Sequence, residues 1–324
     1  MTAATMPAAV FADVGRLELQ ERPAPRAERA DEVVVEVEAC GICGTDLKIL
    51  SVPPGHPATP GVVLGHEFVG VVSEPGPEVT GVQAGDRVVV APNISCGQCA
   101  VCRRGLRNQC ERFTTLGVFA DGGLAPRVRV PAGQCHPISP ELPAHIAALA
   151  EPLSTVVHGV RQLRPFPGET AIVVGAGPVG LMFVALLRLA GLRVGVVEPS
   201  PERRALAERL GAEDAEPGAD LVVDAVGSQL PAALELVGRG GRMLLFGVDA
   251  RARAEIAQEH ITRDELTVIG SFVGQDVFPD AIRLLEQGRI DLTPLVTHRI
   301  GLDELPAAVD ELRAGRAVKV EVVF

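Results

Sequence analysis

The sequence has no tryptophan or tyrosine, and its 30 basic residues include just two lysines, Lys48 and Lys319. Without tyrosine no Tyr-x-x-x-Lys catalytic pair can exist, which excludes the mechanism of the short-chain dehydrogenases. No apolar run reaches transmembrane length. Residues 1–7 show no basic region followed by an apolar core, so no secretory signal is expected. Because arginine stands at every other basic position, each lysine is a candidate for a role that arginine cannot fill.

The composition indicates an acidic protein with two domains. A formal net charge of −11 argues against nucleic acid or an anionic membrane as the main partner. The chain of 324 residues, 47% of them hydrophobic, can bury a large core. Four of its seven cysteines are crowded into residues 96–110, which suits reduced, metal-binding thiols better than disulfides. We therefore expect a cytoplasmic enzyme.

The segment Val173–Gly180 predicts a turn that binds a dinucleotide. An apolar run typical of a buried parallel strand leads into it, and a helical pattern extends from it to Leu189. Gly175, Gly177 and Gly180 form Gly-x-Gly-x-x-Gly, in which the glycines allow the turn, the approach of a pyrophosphate and the packing of helix on strand. The helix N-terminus would then face the phosphates. A glycine turn without a ligand is the alternative.

A second apolar strand ends at Glu198, about 20 residues past the glycines, where an acceptor for the ribose hydroxyls is expected. A carboxylate there accepts hydrogen bonds from NAD and repels the 2′-phosphate of NADP. Arg203 and Arg204 follow closely and could hold that phosphate. NAD is therefore favoured over NADP but not settled, and a solvated acid at the strand end is the alternative for Glu198.

Two groups of residues have the chemistry of zinc ligands. Cys43, His66 and Glu67 offer a thiolate, an imidazole and a carboxylate, which would leave a fourth position open, as a catalytic zinc requires. The second group is spaced C-x2-C-x2-C-x7-C and consists of Cys96, Cys99, Cys102 and Cys110. Four thiolates in one loop close a tetrahedral shell, which favours a structural zinc over an iron–sulfur cluster.

The motifs Gly41–Asp46, Gly65–Glu67 and Glu151–Ser154, with the four cysteines and the glycine turn, follow one another in an order that resembles the zinc-dependent medium-chain dehydrogenases. The chain is most similar to the polyol branch of this family, with sorbitol and threonine dehydrogenases as relatives. The resemblance extends over nearly the whole chain. It implies an α/β fold in which a β-rich, GroES-like catalytic domain is interrupted by a Rossmann domain, with the active site in the cleft between them.

The resemblance places the GroES-like domain at residues 1–153 and 288–324, with a structural zinc lobe at 93–112. The Rossmann domain, a doubly wound parallel sheet, takes residues 154–287. Its third and fourth strands, near residues 212 and 220, are separated by a short turn where a crossover helix is normally required. We therefore predict that the third crossover helix is absent or reduced to a turn.

The resemblance assigns Cys43, His66 and Glu67 to a catalytic zinc, and Glu151 to a carboxylate that binds the zinc or lies beside it. It leaves open which of Glu67 and Glu151 ligates the zinc in a given state. Glu151 can also serve as an acid in the first turn of a helix. Asp46 would orient His66 or a neighbouring group.

Two further catalytic residues come from the same resemblance. Thr45 matches the hydroxyl of the family's proton relay. Lys48 stands where the next member of that relay is often histidine, and a lysine, unlike an arginine, can end a relay by exchanging its proton. A surface lysine without a role is the alternative for Lys48.

The loops at the carboxyl ends of the Rossmann strands complete the predicted cofactor site. The predicted cofactor-binding residues are Gly175, Gly177, Pro178, Val179, Gly180, Glu198, Arg203, Val226, Phe246 and Val248. The strand near residues 266–272 resembles one that pairs with its own copy, which implies a homodimer or homotetramer.

These features predict oxidation of a secondary alcohol to a ketone, with two zinc ions per chain and NAD. The resemblance to the polyol branch makes a polyol, sugar or cyclitol the expected substrate. An amino-alcohol dehydrogenase of the threonine type is the first alternative. A dinucleotide-binding zinc protein without catalysis is the second.

Overall fold

The structure, a computed structural model, describes residues 4–324. Residues 1–3 lie outside the described residues. The predicted catalytic domain and the segment searched for a secretory signal both begin with these three residues. The chain packs as two compact units. The first contains the chain up to Glu151, with Phe278–Gln287 and Val296–Phe324, and the second contains Pro152–Val277 and Gly288–Leu295.

The first part of the chain is mostly strand, and the middle alternates strand and helix. Up to residue 163 the elements are β1 (Thr5–Asp13), β2 (Arg16–Pro23), β3 (Glu32–Gly41), α1 (Gly44–Ile49), β4 (Glu67–Pro75), β5 (Arg87–Val90), β6 (Asn93–Ile94), α2 (Ala100–Arg103), β7 (Thr114–Thr115), β8 (Arg127–Pro131), β9 (Cys135–Pro137), α3 (Ala144–Ala147) and α4 (Ala150–Leu163). The middle elements are β10 (Thr170–Val174), α5 (Pro178–Leu189), β11 (Arg193–Val197), α6 (Pro201–Arg209), β12 (Glu213–Asp214), β13 (Ala219–Asp224), α7 (Leu230–Leu234), β14 (Val237–Leu245), α8 (Gln258–Arg263) and β15 (Thr267–Gly270). The last elements are α9 (Phe278–Glu286), β16 (Val296–Ile300), α10 (Leu305–Arg313) and β17 (Lys319–Val323).

The main sheet of the first unit has β3 near its centre. Its strand order is β16-β17-β3-β4-β5-β9, and β8 also pairs with β3. The antiparallel pairs place Gly41, at the end of β3, opposite Glu67 on one side and Glu321 on the other. Strands β4 and β17 therefore bring charged residues to the same end of the sheet, on either side of β3, whose valines such as Val33 and Val35 belong to the core.

The second unit contains one parallel sheet. Its strand order β12-β11-β10-β13-β14-β15 corresponds to 3-2-1-4-5-6 in chain order, which is the order of the Rossmann fold. The central strand β10 is buried from residue 171 to 174, as its apolar run predicts, and α5 follows the glycine turn. The predicted α/β fold with a doubly wound sheet is confirmed.

The third crossover has lost its helix, as the short turn in the sequence predicts. Residues 215–218 connect β12 directly to β13. The strand before this turn has two residues, Glu213 and Asp214, both exposed at the edge of the sheet. A groove of about 440 Å³ lies beside it, lined in part by Gly195 and Pro217. Helix α5 is present after β10 and the glycine turn, because the missing helix belongs to a different strand connection.

Helix α9 packs with the first unit, whereas the sequence placed residues 154–287 together in the Rossmann domain. The ring of Phe278, at the start of α9, stacks on His136 at a centroid distance of 5.1 Å. Near the end of the helix, Glu286 accepts a hydrogen bond of 2.7 Å from the backbone N–H of Ser139. An amphipathic pattern shows that a helix has a buried face but not which unit covers it.

Phe183 on α5 is fully buried, and its ring packs edge-to-face on Phe246 at a centroid distance of 4.9 Å. We expect Phe183→Ala to lower the free energy of unfolding of the second unit by about 3–5 kcal/mol, because it leaves a cavity in the core. Phe166 in the same unit is 71% exposed, so Phe166→Ala should change that free energy by less than about 0.5 kcal/mol. Urea unfolding followed by circular dichroism measures both variants, and equal losses would contradict this packing.

Candidate metal centre and cofactor site

Cys43, His66 and Glu67 come together in the first unit. Cys43 caps the N-terminus of α1, and Glu67 opens β4. The turn before His66 requires glycine, since Gly65 has a φ of 91° and a Cβ there would lie 2.6 Å from Sγ of Cys40. One ligand atom from each of Cys43, His66 and Glu67 lies within 4.8 Å of the others. A thiol, an imidazole and a carboxyl group at this spacing fit a zinc ion.

Asp46 lies behind this cluster, as the sequence analysis expects. One of its carboxylate oxygens, Oδ2, accepts a hydrogen bond of 2.8 Å from the backbone N–H of Cys43. The other, Oδ1, lies 3.7 Å from Nδ1 of His66. Burial alone would lower the pKa of His66, but the charges of Asp46 and Cys43 outweigh burial and raise it well above its usual value. Burial also raises the pKa of Asp46, although His66 opposes that shift.

Lys319 is part of the same site, and the sequence analysis did not assign it there. Its side chain is buried, and Nζ donates to the Glu67 carboxylate and to the backbone carbonyl of Ile42, the latter at 3.0 Å. Burial would lower the pKa of Lys319, but the Glu67 charge reverses that shift and raises the pKa. The signal in the sequence was the rarity of lysine.

Glu321 lies two residues after Lys319 on β17, so the two side chains share one face of the sheet. Glu321 is fully buried, and no hydrogen-bond partner in residues 4–324 reaches either of its carboxylate oxygens. Burial raises the pKa of Glu321 to about 8, although Lys319 opposes that shift. Lys319 is therefore a buried cation that hydrogen-bonds to Glu67 and whose charge also acts on Glu321.

Glu151 stands in the first turn of α4 and is buried. It lies outside the group of ligand atoms that Cys43, His66 and Glu67 form. Burial raises the pKa of Glu151 to about 7, and the charge of Glu67 adds to that shift while His66 opposes it. The pKa of the buried Glu151 carboxyl group therefore depends on the charges of His66 and Glu67.

Thr45 and Lys48 lie on α1, the helix that begins after Cys43, and both are half-buried. The backbone at Lys48 is fixed by hydrogen bonds: its carbonyl oxygen accepts from Oγ of Ser51 at 2.8 Å and from the N–H of Gly55 at 2.9 Å. The structure thus attaches both predicted relay residues to the helix that presents the thiol. Their part in proton transfer stays a prediction.

Cys96, Cys99, Cys102 and Cys110 form a second cluster, with all four sulfur atoms within 4.8 Å of one another. Backbone N–H groups donate to the sulfurs: the N–H of Cys99 lies 3.4 Å from Sγ of Cys96, and the N–H of Arg112 lies 3.3 Å from Sγ of Cys110. The backbone N–H of Gln98 contributes most to lowering the pKa of Cys96, to about 6. All seven cysteines are free thiols. This donor set fits a closed, structural zinc site.

The glycine turn of the second unit has the geometry that dinucleotide binding needs. Gly175 has a φ of 95°, and a Cβ there would lie 2.7 Å from the side chain of Val226. A Cβ at Gly177 would meet open space, and one at Gly180 would strike the backbone carbonyl of Gly175. The turn therefore leaves room above its second glycine and packs tightly at its third, with Pro178 and Val179 in the first turn of α5.

Glu198 follows β11 and is buried. Its carboxylate accepts hydrogen bonds from the backbone N–H groups of Ala176 at 2.7 Å and Ser200 at 3.0 Å. Glu198 is thereby fixed against the glycine turn. Arg204 donates to the backbone carbonyl of Glu198 at 2.8 Å, and the N–H of Arg203 donates to Oγ of Ser200 at 3.3 Å.

The remaining predicted cofactor residues lie at the same edge of the sheet. Val226 follows β13, and Phe246 and Val248 follow β14. Asp224, which the sequence analysis did not assign, shapes this edge: its Oδ1 accepts hydrogen bonds from the N–H groups of Val226 at 2.9 Å and Gly227 at 2.8 Å. An acid directly after an apolar strand is the signal in the sequence that could have identified it.

Comparison with known proteins identifies the family. The family model for the alcohol dehydrogenase GroES-like domain matches residues 29–140, and that for the zinc-binding dehydrogenase matches residues 213–287. The chain belongs to the zinc-dependent medium-chain dehydrogenases. The resemblance stated from the sequence is thus confirmed.

Individual members of the family match this dehydrogenase over most of its length. D-altritol 5-dehydrogenase of Agrobacterium fabrum is 37% identical over 93% of this chain and 94% of its own. L-threonine 3-dehydrogenase of Bacillus velezensis is 32% identical, with 94% of each chain covered. A protein described as a zinc-binding dehydrogenase from Sinorhizobium meliloti 1021, bound to NADP, has a TM-score of 0.94 and 34% identity over 99% of this chain and 100% of its own. Within the part of the dehydrogenase that the structure describes, no helix is both long and apolar enough to cross a membrane.

The buried Glu321 generates a prediction about pH. Its folded-state pKa of about 8 exceeds its ordinary value of 4.5, so the contribution of Glu321 to stability falls as the pH rises between those values. We expect Glu321→Gln, which cannot ionise, to raise the Tm relative to the parent by roughly 2 °C or more at about pH 9, with a smaller gain at about pH 5. Thermal unfolding at both pH values measures this. Glu141→Gln, at an exposed position, controls for the loss of one carboxylate. A gain that does not grow with pH would contradict the prediction.

Proposed function

We propose that this protein oxidises a secondary hydroxyl of a polyol, sugar or cyclitol to a ketone and passes the hydride to NAD. The observation that carries the proposal is the cluster of Cys43, His66 and Glu67, whose ligand atoms lie within 4.8 Å of one another. The D-altritol 5-dehydrogenase relative supports the polyol class.

Cys43, His66 and Glu67 would hold the catalytic zinc, and Glu151 would be the carboxylate that exchanges with Glu67. When bound, zinc supplies a Lewis acid that lowers the pKa of the substrate hydroxyl. Oδ1 of Asp46 faces Nδ1 of His66 at 3.7 Å, so Nε2 would be the nitrogen that binds the metal.

The chain's own residues would carry away the proton that the hydroxyl releases. Oγ1 of Thr45 can accept that proton while donating its own, and Nζ of Lys48 can end the path.

The cysteines at 96, 99, 102 and 110 would hold a second zinc ion, giving two per chain. Four thiolates leave no open position, so this ion would hold its loop together and take no part in catalysis. The N–H groups that donate to these sulfurs support thiolate ligands.

The cofactor would lie on the glycine turn, with its pyrophosphate above Gly177. We propose NAD over NADP because the Glu198 carboxylate is held at the turn, where it would accept from the ribose hydroxyls and repel a 2′-phosphate. The NADP-bound relative, at 34% identity, keeps NADP as the alternative.

An amino alcohol is the second candidate substrate. The L-threonine 3-dehydrogenase relative covers as much of this chain as the altritol enzyme does. Both substrates present a secondary hydroxyl, so the same metal centre would serve either one.

We propose a homodimer or homotetramer in the cytoplasm, with no nucleic acid or membrane partner. Within the described residues β15 forms one edge of the parallel sheet, with β14 on its inner side. Val268 in this strand is 38% exposed and Phe272 beyond it 42%, so a second copy could cover both. Light scattering of the purified protein measures the mass of the assembly.

The first test is the initial rate of NADH formation with polyols, aldoses, cyclitols, threonine and simple alcohols. We expect turnover of one hydroxylated class, and loss of more than about 100-fold in Cys43→Ser because the metal centre loses its thiolate. Zinc content should fall from two ions per chain to one.

Cys135→Ser is the matched control, because Cys135 is a buried thiol of the same unit outside both clusters. It should keep both zinc ions and its activity. Tight NADH binding without turnover of any substrate would count against an enzymatic role, and the same activity in Cys43→Ser would exclude the proposed centre.

A second test addresses the cofactor. We expect Glu198→Gln to lower the ratio of kcat/KM for NAD to that for NADP by about tenfold, because the neutral amide no longer repels the 2′-phosphate. Glu202→Gln changes a nearby exposed acid in the first turn of α6 and should leave the ratio unchanged. Steady-state kinetics with both cofactors measure it, and an unchanged ratio in Glu198→Gln would remove the argument for NAD.

A further inference from the structure

Lys319 makes a contact that the proposed mechanism does not use. The side chain of Lys319 is 2% exposed, and Nζ donates to Oε2 of Glu67 as well as to the carbonyl oxygen of Ile42. Glu67 is 1% exposed and is also part of the metal-ligating cluster with Cys43 and His66. The Glu67 carboxylate thus accepts a hydrogen bond from the Lys319 ammonium group and would also bind the proposed metal.

Stability gives little reason for a buried lysine at this position. Taking an ammonium group out of water is unfavourable, and a buried ion pair is typically no more stabilising than an apolar replacement of the same volume. The strand already has apolar partners, since Val320 and Val322 on β17 are fully buried. Lys319 therefore has a further use, and its only carboxylate hydrogen bond within residues 4–324 goes to Glu67.

The buried Glu321 supports a specific role for Lys319 at Glu67. It shares the face of β17 with Lys319 and is fully buried with both carboxylate oxygens unpartnered in the described chain. If Lys319 served only to neutralise buried acids, Glu321 would be the nearer candidate along the strand. The ammonium hydrogen-bonds to Glu67 instead.

We propose that Lys319 is a positioning residue that keeps Glu67 a weak, exchangeable ligand. The ammonium occupies one carboxylate oxygen of Glu67 and draws negative charge from the other, so Glu67 offers the metal a single oxygen of reduced donor strength. Glu151, the second buried carboxyl group beside the cluster, can then take its place. This inference rests on the proposed zinc centre.

Two consequences follow for metal binding. The ammonium repels a divalent cation bound to the same carboxylate, so its removal should strengthen binding of the metal. Without the ammonium both oxygens of Glu67 become available, so the number of ligand atoms around the metal should rise.

The experiment measures Co²⁺ affinity and the visible d–d spectrum of Co²⁺ in the metal centre, with zinc retained by the four-cysteine lobe. The d–d bands that are present in the parent and absent from Cys43→Ser are assigned to this centre. We expect Lys319→Met to tighten Co²⁺ binding by about tenfold and to weaken the d–d absorption, as a higher coordination number does. In a Glu67→Gln background the same substitution should leave the d–d spectrum unchanged and tighten Co²⁺ binding by less, because only the through-space repulsion of the ammonium is then removed.

Arg316→Met is the matched control, because it removes one positive charge from an exposed ion pair with Glu311 in the same unit. It should leave Co²⁺ affinity unchanged. An equal effect of Lys319→Met in both backgrounds, a looser metal or an unchanged affinity would overturn the proposal.

Lys319→Arg keeps the test decisive where Lys319→Met does not fold. A guanidinium group can engage both oxygens of Glu67, so we expect Co²⁺ to bind about tenfold more weakly, and only when Glu67 is present. Unchanged affinity in folded Lys319→Arg overturns the inference. A parent protein that binds Co²⁺ at this centre but oxidises no alcohol would overturn the proposed function alone, and one that binds none would overturn both.

Discussion

The first unit depends on charges that are buried together. Five ionisable side chains of this unit are buried: Asp46, His66, Glu67, Lys319 and Glu321. Buried ionised groups are tolerated only where opposite charges pair or where the groups bind a metal. Burial raises the pKa of both Asp46 and Glu321, so these carboxyl groups resist ionisation here. A divalent cation would favour their ionised forms, which is the electrostatic reason to expect a metal at this point.

The sheet is what brings these charges together. Glu67 begins β4, while Lys319 and Glu321 lie on β17, and β3 pairs with both strands. Gly41 of β3 lies between them, and a Cβ at that position would strike the Glu67 carboxylate. The close approach of the lysine and the carboxylate thus requires a glycine on the intervening strand. The thiol of Cys43 reaches the same place because two residues, Ile42 and Cys43, separate the end of β3 from the start of α1.

In the Rossmann unit, the residues that would bind a cofactor lie apart from the strand connection that has no helix. The glycine turn, Glu198 and the loop shaped by Asp224 all lie at the carboxyl ends of neighbouring parallel strands. The missing crossover helix lies after β12, a strand of two residues at the edge of the sheet. A shortened crossover at the edge leaves the central strands paired on both sides, so the cofactor edge is undisturbed.

Local patterns in the sequence determined a large part of this protein. The spacing of the four cysteines, the glycine turn and the short link after β12 each depend on residues close together in the chain, so their geometry follows from backbone sterics and ligand chemistry. The family was evident for the same reason. Tertiary structure alone decided that Lys319 meets Glu67 across 252 residues of chain, that Glu321 is buried beside it and that α9 packs with the first unit. Strand pairing and burial set these contacts, and a residue's neighbours in sequence carry no information about which distant charge it will face.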